Sequence, residues 1–269
     1  MTAYFRDLFN ELNAYRGYAI YHDVFVPWID RAREALEECR QFREPTPFDP
    51  RDESACMAMW NLYALNRVND YLLMAFLPKG RWMKQHQRLN VFEYEAFFGE
   101  IGMTVVRSEE FAPFQHEIVR VHAADEPDEP IRLFEARWPA LLFGRMLFSR
   151  EGADVTGGRN FVNPEIAERS NLYWAFHRTN RPVRDLSNGW GSNSQWRTSI
   201  RRDFACEDRR IYNFDGNVLL NGDSISDDWR DKLTHSERVE LVRHRSFILS
   251  SSPDEGLFPW DYRYEEPLS

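Results

Sequence analysis

The side chain that most invites chemistry is His116. It lies in Phe-Ala-Pro-Phe-Gln-His-Glu-Ile-Val-Arg-Val, residues 111–121, between a proline turn and an apolar, β-branched run. A histidine so placed can act as a general base if a nucleophile or substrate proton is within reach and a partner orients the ring. The chain has no Gly-x-Ser-x-Gly elbow and no Cys-Gly motif to supply the nucleophile. A metal site would join His116 to His122 and Asp125, since residues six apart on a regular strand share a face. There is no His-x-x-x-His or His-Glu-x-x-His pair to strengthen that reading. The expectation is structural: His116, following Pro113, bonds nearby backbone and fixes where the next strand begins. No catalytic residue, metal ligand or cofactor is assigned.

A second constellation spans Asp185 to Phe204, a segment dense in Asn, Ser, Gly and Trp. Asn188, Asn193 and Gln195 are bidentate hydrogen bonders, Trp190 and Trp196 are stacking surfaces, and Arg197, Arg201 and Arg202 bring positive charge. Such a set can hold a nucleotide, a sugar or a single-stranded nucleic acid. It is not a phosphate loop, which would read Gly-x-x-x-x-Gly-Lys-Ser/Thr. The competing reading is a long structured loop whose tryptophans plug the core and whose amides satisfy buried backbone.

The elements that must carry these residues divide the chain. The first hundred residues read as helical. Past Pro27, Trp28, Ala32, Ala35, Cys39 and Phe42 recur at steps of three and four and mark one helix face. Three prolines between Glu44 and Pro50 break the pattern. A long helix over residues 52–76, apolar on much of its circumference, should be deeply buried. A third helix runs from about Phe92 to Ile101, with Gly102 as its C-cap. The pattern then turns to strands: residues 116–123 and 131–138 are β-branched or aromatic and flank an acidic, proline-containing linker. Residues 144–158 continue in that style, with Gly152 as a turn, and residues 170–179 read as a further strand. Asp215-Gly216 signals a hairpin. Thr234-x-x-Glu237 is a capping box opening a last helix. The aromatic, acidic tail from Asp254 reads as an irregular segment against the body.

Bulk properties exclude several classes. The 269 residues are 43% hydrophobic and 15% aromatic, so the chain folds. With 34 basic and 43 acidic residues its formal charge is −9, so no global attraction to nucleic acid or anionic membrane is expected. Cys39, Cys56 and Cys206 are odd in number and widely spaced, which fits neither a disulfide framework nor a zinc ribbon and points to a reducing, cytoplasmic setting. The first residues carry mixed charge without an apolar core, so no signal peptide is expected, and no run is long enough to span a bilayer.

Residues 95–157 resemble the β-domain of the GrpE nucleotide-exchange factors. Gly102-Met103-Thr104-Val105-Val106 is similar to that family's entry strand, and Phe111, Pro113, His116 and Glu117 to its Phe-Asp-Pro-x-x-His-x-Ala turn. Asp125 to Asp128 match its acidic linker, and Gly144, Arg145 and Leu147 its hairpin. His116 and Arg145 are 29 residues apart (145 − 116), close to the family spacing. The departures are Ala112 in place of the family's Asp, Arg-Trp-Pro-Ala-Leu-Leu-Phe in place of its Lys-Gly-Tyr turn, a closing segment longer by about one residue, and over a hundred further residues. The long dimerising helix of the family is not evident. What the resemblance implies is a non-catalytic interaction protein: a wedge opening the nucleotide cleft of a DnaK-type chaperone, with Arg145 as charged contact, Phe143, Met146 and Leu147 as apolar patch, and a homodimer through the N-terminal helices. The alternative is a ligand-binding protein or enzyme using the loop 187–202.

The expected architecture is α+β: a helical region over residues 1–108, a small β-domain over 109–160, and a mixed extension over 161–269 packed on the rest.

Overall fold

The computed structural model describes residues 3–76, 89–168, 200–221, 233–250 and 261–268. The chain is α+β, with helices leading and sheets following residue 100. Helix α1 spans Ala3–Ala14; a π-turn over Tyr21–Phe25 runs into α2, Val26–Glu38, with Pro27 in its first turn. Proline is tolerated there because the first N–H groups of a helix have no partner inside it. The stripe of Trp28, Ala32, Ala35, Cys39 and Phe42 is buried as its spacing predicts. Helix α3, Glu53–Leu73, is buried around most of its circumference, and α4, Val91–Glu100, opens on an Asn90–Glu93 capping box. Gly102, at φ +87°, ends α4 where a Cβ would be strained. The Phe25 and Phe97 rings stack at 4.1 Å, and the Trp28 indole donates to the Tyr4 carbonyl at 2.8 Å.

The strands are β1 (Thr104–Val106), β2 (His116–Ala123), β3 (Arg132–Trp138), β4 (Ala140–Phe143), β5 (Met146–Ser149), β6 (Glu151–Gly157), β7 (Asp203–Ala205), β8 (Arg209–Tyr212), β9 (Val218–Leu219) and β10 (Tyr262–Pro267). Short helix α5 (Pro164–Ala167) precedes β7, and α6 (His235–His244) precedes β10. Thr234 and Glu237 form the capping box of α6 that the sequence announces. A seven-stranded sheet has the order β1-β4-β5-β7-β8-β10-β9, and a three-stranded sheet the order β2-β6-β3. Side chains alternate across the large sheet: Met146 and Phe148 join the core under α1–α4, whereas Leu147 meets Tyr212, Tyr262 and Val242 of α6. Helices therefore cover both faces.

Several expectations change here. The boundary at residue 160 does not separate a β-domain, because β7 to β10 belong to the same sheet as β1, β4 and β5. Of the tail from Asp254, residues 254–260 lie outside the described residues, and Tyr262–Pro267 is a strand, not an irregular segment: β10 pairs antiparallel with β8, Tyr264 opposite Tyr212, and parallel with β9. Asp215-Gly216 closes no hairpin, since β10 lies between β8 and β9. Residues 170–179 lie outside the described residues.

Gly152 is not a turn but part of β6, paired opposite Trp138. A Cβ there would lie 2.4 Å from the Trp138 ring, itself fully buried and held by a 2.8 Å bond from its indole N–H to the Arg150 carbonyl. Gly152→Ala is expected to lower stability by about 1–3 kcal/mol, read from the midpoint of chemical denaturation.

The two sheets meet at single residues. Pro139 alone joins β3 to β4, and Arg150 alone joins β5 to β6. Arg150 thus sits in a seam between sheets.

Candidate functional site

The seam holds a buried ionic cluster centred on Asp203, the first residue of β7, which is fully buried. Its Oδ1 accepts from Arg201 Nε at 2.7 Å and from the Asn213 N–H at 2.6 Å. Its Oδ2 accepts from Arg245 Nε at 3.1 Å and Nη2 at 2.7 Å. Arg150 Nη2 lies 3.8 Å from the same oxygen. Three guanidinium groups therefore face one carboxylate. Burial alone would raise the Asp203 carboxyl; Arg201, Arg245 and Arg150 outweigh it and hold the group well below the usual carboxylate range.

The backbone is shaped to make this cluster. Asn213 (φ 53°) and Arg245 (φ 57°) are the only non-glycine residues of positive φ among the described ones, and both bond Asp203. Left-handed backbone is costly for an arginine, so surrounding contacts must hold it there. Arg245 is the C-cap of α6. The last carbonyls of that helix take the other arginines: Arg150 Nη2 donates to Arg243 O at 2.7 Å, and Arg201 Nη2 donates to Val242 O. Guanidinium groups are favoured here because these carbonyls form the negative end of the helix dipole.

Arg150 is the exceptional member. Its side chain is 2% exposed, and its Nε and Nη1 have no hydrogen-bond partner. Burial, and after it the neighbouring Arg245 charge, pull its pKa well down from the usual guanidinium range. Arg245, 18% exposed, gives the cluster its contact with solvent.

Beside it lies a second buried pair. The Pro113 turn delivers His116 to the start of β2, where its N–H bonds Ala112 O at 2.9 Å. Ala112 N–H donates to His116 Nδ1 at 3.0 Å. The ring and the backbone of His116 are thus both tied to Ala112. His116 Nε2 faces Glu151 Oε2 at 3.5 Å, longer than a firm bond. Glu151 Oε2 accepts instead from Gln115 Nε2 at 2.9 Å and Ser108 N at 3.2 Å, while Oε1 has no partner. Burial raises the Glu151 carboxyl, and burial followed by the Arg150 charge lowers the His116 imidazole, so both shifts oppose the charged forms of the pair. Phe111 connects the two groups, its ring 5.5 Å from His116 and 6.4 Å from His244. His244 is depressed to about 3 by burial, then by Arg150 and Arg243.

His116 and His122 do not share a face. A bulge between Ile118 and Arg120 shifts the register, so Val121 rather than His122 is buried with His116 and Ile118. Among the described residues no group of three or more His, Cys, Asp or Glu is arranged to hold a metal ion.

Arg145 stands at the tip of the β4–β5 hairpin, 42% exposed, with Nε 3.3 Å from Glu44 and Nη2 3.1 Å from Glu207. Phe143, Met146 and Leu147 do not form an apolar contact patch beside it. They are 2%, 0% and 1% exposed, because strand alternation sends each into one of the two cores. Asn188, Trp190, Asn193, Gln195, Trp196 and Arg197 lie outside the described residues. Arg201 and Arg202 are inside them, immediately before β7, and diverge: Arg201 enters the Asp203 cluster, while Arg202 pairs with Asp215 at 2.8 Å. Sequence reasoning left out Arg150, Asp203 and Arg245. The available signal was Arg-Arg-Asp placed directly before an apolar strand.

Comparison with protein families, curated proteins and solved structures finds no match to this chain.

Proposed function

We propose that this chain is a ligand-binding protein that takes a small anion at the seam formed by Arg150, Arg201 and Arg245. The observation that carries the reading is Arg150. A buried donor without an acceptor costs about 1–3 kcal/mol, and more when charged. Two unpartnered nitrogens on one sealed guanidinium are a cost that an anionic ligand removes, in a charge-assisted bond of the strong kind. The left-handed backbone at Asn213 and Arg245 supports it, since strain held at a polar cluster is a mark of a preorganised site. This reading keeps the C-terminal end of the loop 187–202, at Arg201, as its contribution to binding.

The test is thermal unfolding at constant ionic strength with rising inorganic phosphate or acetate. Binding to the folded state alone stabilises by about 2.7 kcal/mol at a hundred times Kd. The wild-type midpoint is expected to climb with at least one anion and that of Arg150→Met to stay flat. In Arg150→Met the Asp203 carboxylate keeps its bonds from Arg201 and Arg245, so no buried charge is left unpaired and the variant should remain folded. Equal climbs in both proteins, or none in either, contradict the reading.

One observation favours a second reading, a GrpE-like cofactor of a DnaK-type chaperone. Arg145 is exposed at a hairpin tip, as docking requires. With the neighbouring apolar side chains in the core, contact would run through Glu44, Arg145 and Glu207. Faster release of a fluorescent ADP analogue from such a chaperone, abolished by Arg145→Ala, is the expected result. No acceleration by the wild type removes this reading.

A further inference from the structure

The His116–Glu151 pair has no task in holding an anion, yet it carries two of the chain's buried, unpartnered polar atoms. Both residues are sealed, at 1% and 0% exposure. The carbonyl of Ala112 already accepts the His116 backbone N–H, and the Ala112 N–H points at Nδ1. Nδ1 also lies 3.1 Å from the Ala112 carbonyl, but that oxygen already accepts two backbone N–H groups, from Gln115 at 3.1 Å and His116 at 2.9 Å, whereas the Ala112 N–H has Nδ1 as its acceptor; this assigns the proton of the neutral ring to Nε2. Nε2 is then a donor, facing Glu151 at a distance too long to bond it well. Glu151 Oε2 is occupied by Gln115 and Ser108, which leaves Oε1 as a lone acceptor. One donor and one acceptor, side by side and both unmet, are complementary to a single group that accepts and donates at once. A hydroxyl is such a group; an ether or a methyl is not.

The pair adjoins the arginine seam. The Arg150 charge acts on the His116 ring, and Phe111 packs against both His116 and His244, the residue beside Arg245. We propose that the ligand is a hydroxylated anion, whose charged group meets Arg150 and whose hydroxyl is read by His116 Nε2 and Glu151 Oε1. This rests on the anion-binding reading above. The charged group is a carboxylate, as in a hydroxy acid, or a phosphate, as in a phosphorylated polyol; both present the same chemistry.

Calorimetric titration of the full chain with matched pairs tests it: glycerol 3-phosphate against propyl phosphate, and lactate against propionate. Loss of a hydrogen bond to a buried, charged partner weakens binding by about tenfold or more. The wild type is expected to favour the hydroxylated member of at least one pair by that factor, and which pair responds tells phosphate from carboxylate. Glu151→Gln keeps its carbonyl under Gln115 and Ser108 and presents an amide donor in place of Oε1. His116→Asn keeps an acceptor for the Ala112 N–H and deletes Nε2. In both, the preference within the pair should fall to near one, while Arg150→Met should weaken both members alike. Equal binding of both members by the wild type, still dependent on Arg150, overturns the hydroxyl reading and leaves the anion site standing. No binding of any of the four overturns both.

Discussion

Asp203→Asn is expected to destabilise the fold by about 3–5 kcal/mol, the usual result of removing one partner from a buried ionic group. The change is nearly isosteric, so the loss reports charge and not packing. Arg201, Arg245 and Arg150 all face this carboxylate, and no other acidic residue among the described ones pairs with Arg150. With total stabilities of about 5–15 kcal/mol for a folded domain, much of the margin would vanish. Urea denaturation of both proteins gives the difference directly; a loss under about 1 kcal/mol would show that the cluster is not held by this charge. The same carboxyl sets a pH dependence. Its folded pKa lies below its unfolded one, so its contribution is complete above the ordinary aspartate range and is lost as pH falls through that range toward the folded value. Wild type should therefore lose stability below about pH 4 more steeply than Asp203→Asn.

Arg202→Ala is expected to cost a comparable amount, about 3–5 kcal/mol, through a different mechanism. Arg202 is fully buried, its Nε donates to Asp215 at 2.8 Å, and Nη1 donates to Thr46 O at 3.0 Å. Its guanidinium lies 5.1 Å from the Phe214 ring centre, 5.5 Å from Phe42 and 5.8 Å from Phe204. Truncation leaves a cavity lined by three rings and unties the segment entering β7 from the 46 loop. Asp215 is 42% exposed and can return to water, so unlike the Asp203 case the loss here is mostly packing. Arg202→Lys separates the contributions: the charge stays, but the planar fork that stacks and bonds in several directions does not. Denaturation midpoints should rank wild type above Arg202→Lys above Arg202→Ala. A lysine variant as stable as wild type would mean the fork geometry is irrelevant.

Local signals in the chain were legible because they act over a few residues. The step of three and four from Trp28 to Phe42 depends only on helix geometry, and the capping box at Thr234 on a four-residue turn. Residues 116–123 read as a strand and form one. What failed depended on distant partners. Tyr262 to Pro267 looked irregular because its partner β8 lies far back in the sequence, although the alternation of Tyr262 and Tyr264 was a period-two hint. Gly152 read as a turn because nothing local announces the Trp138 ring packed on it. The arginine cluster was hidden for the same reason: Arg150 reaches a carbonyl 93 residues away, and Asp203 meets an arginine 42 residues on. Hydropathy places such arginines at the surface. Only the sheet seam and the end of α6 bring them together.

The most direct measurement is a crystal structure of the chain soaked in tungstate, with anomalous data collected at the tungsten edge. The anion-site reading predicts a peak within hydrogen-bond distance of Arg150 Nε or Nη1, absent from crystals of Arg150→Met. Density showing both nitrogens bonded to the protein's own groups, with no peak in the seam, would contradict it.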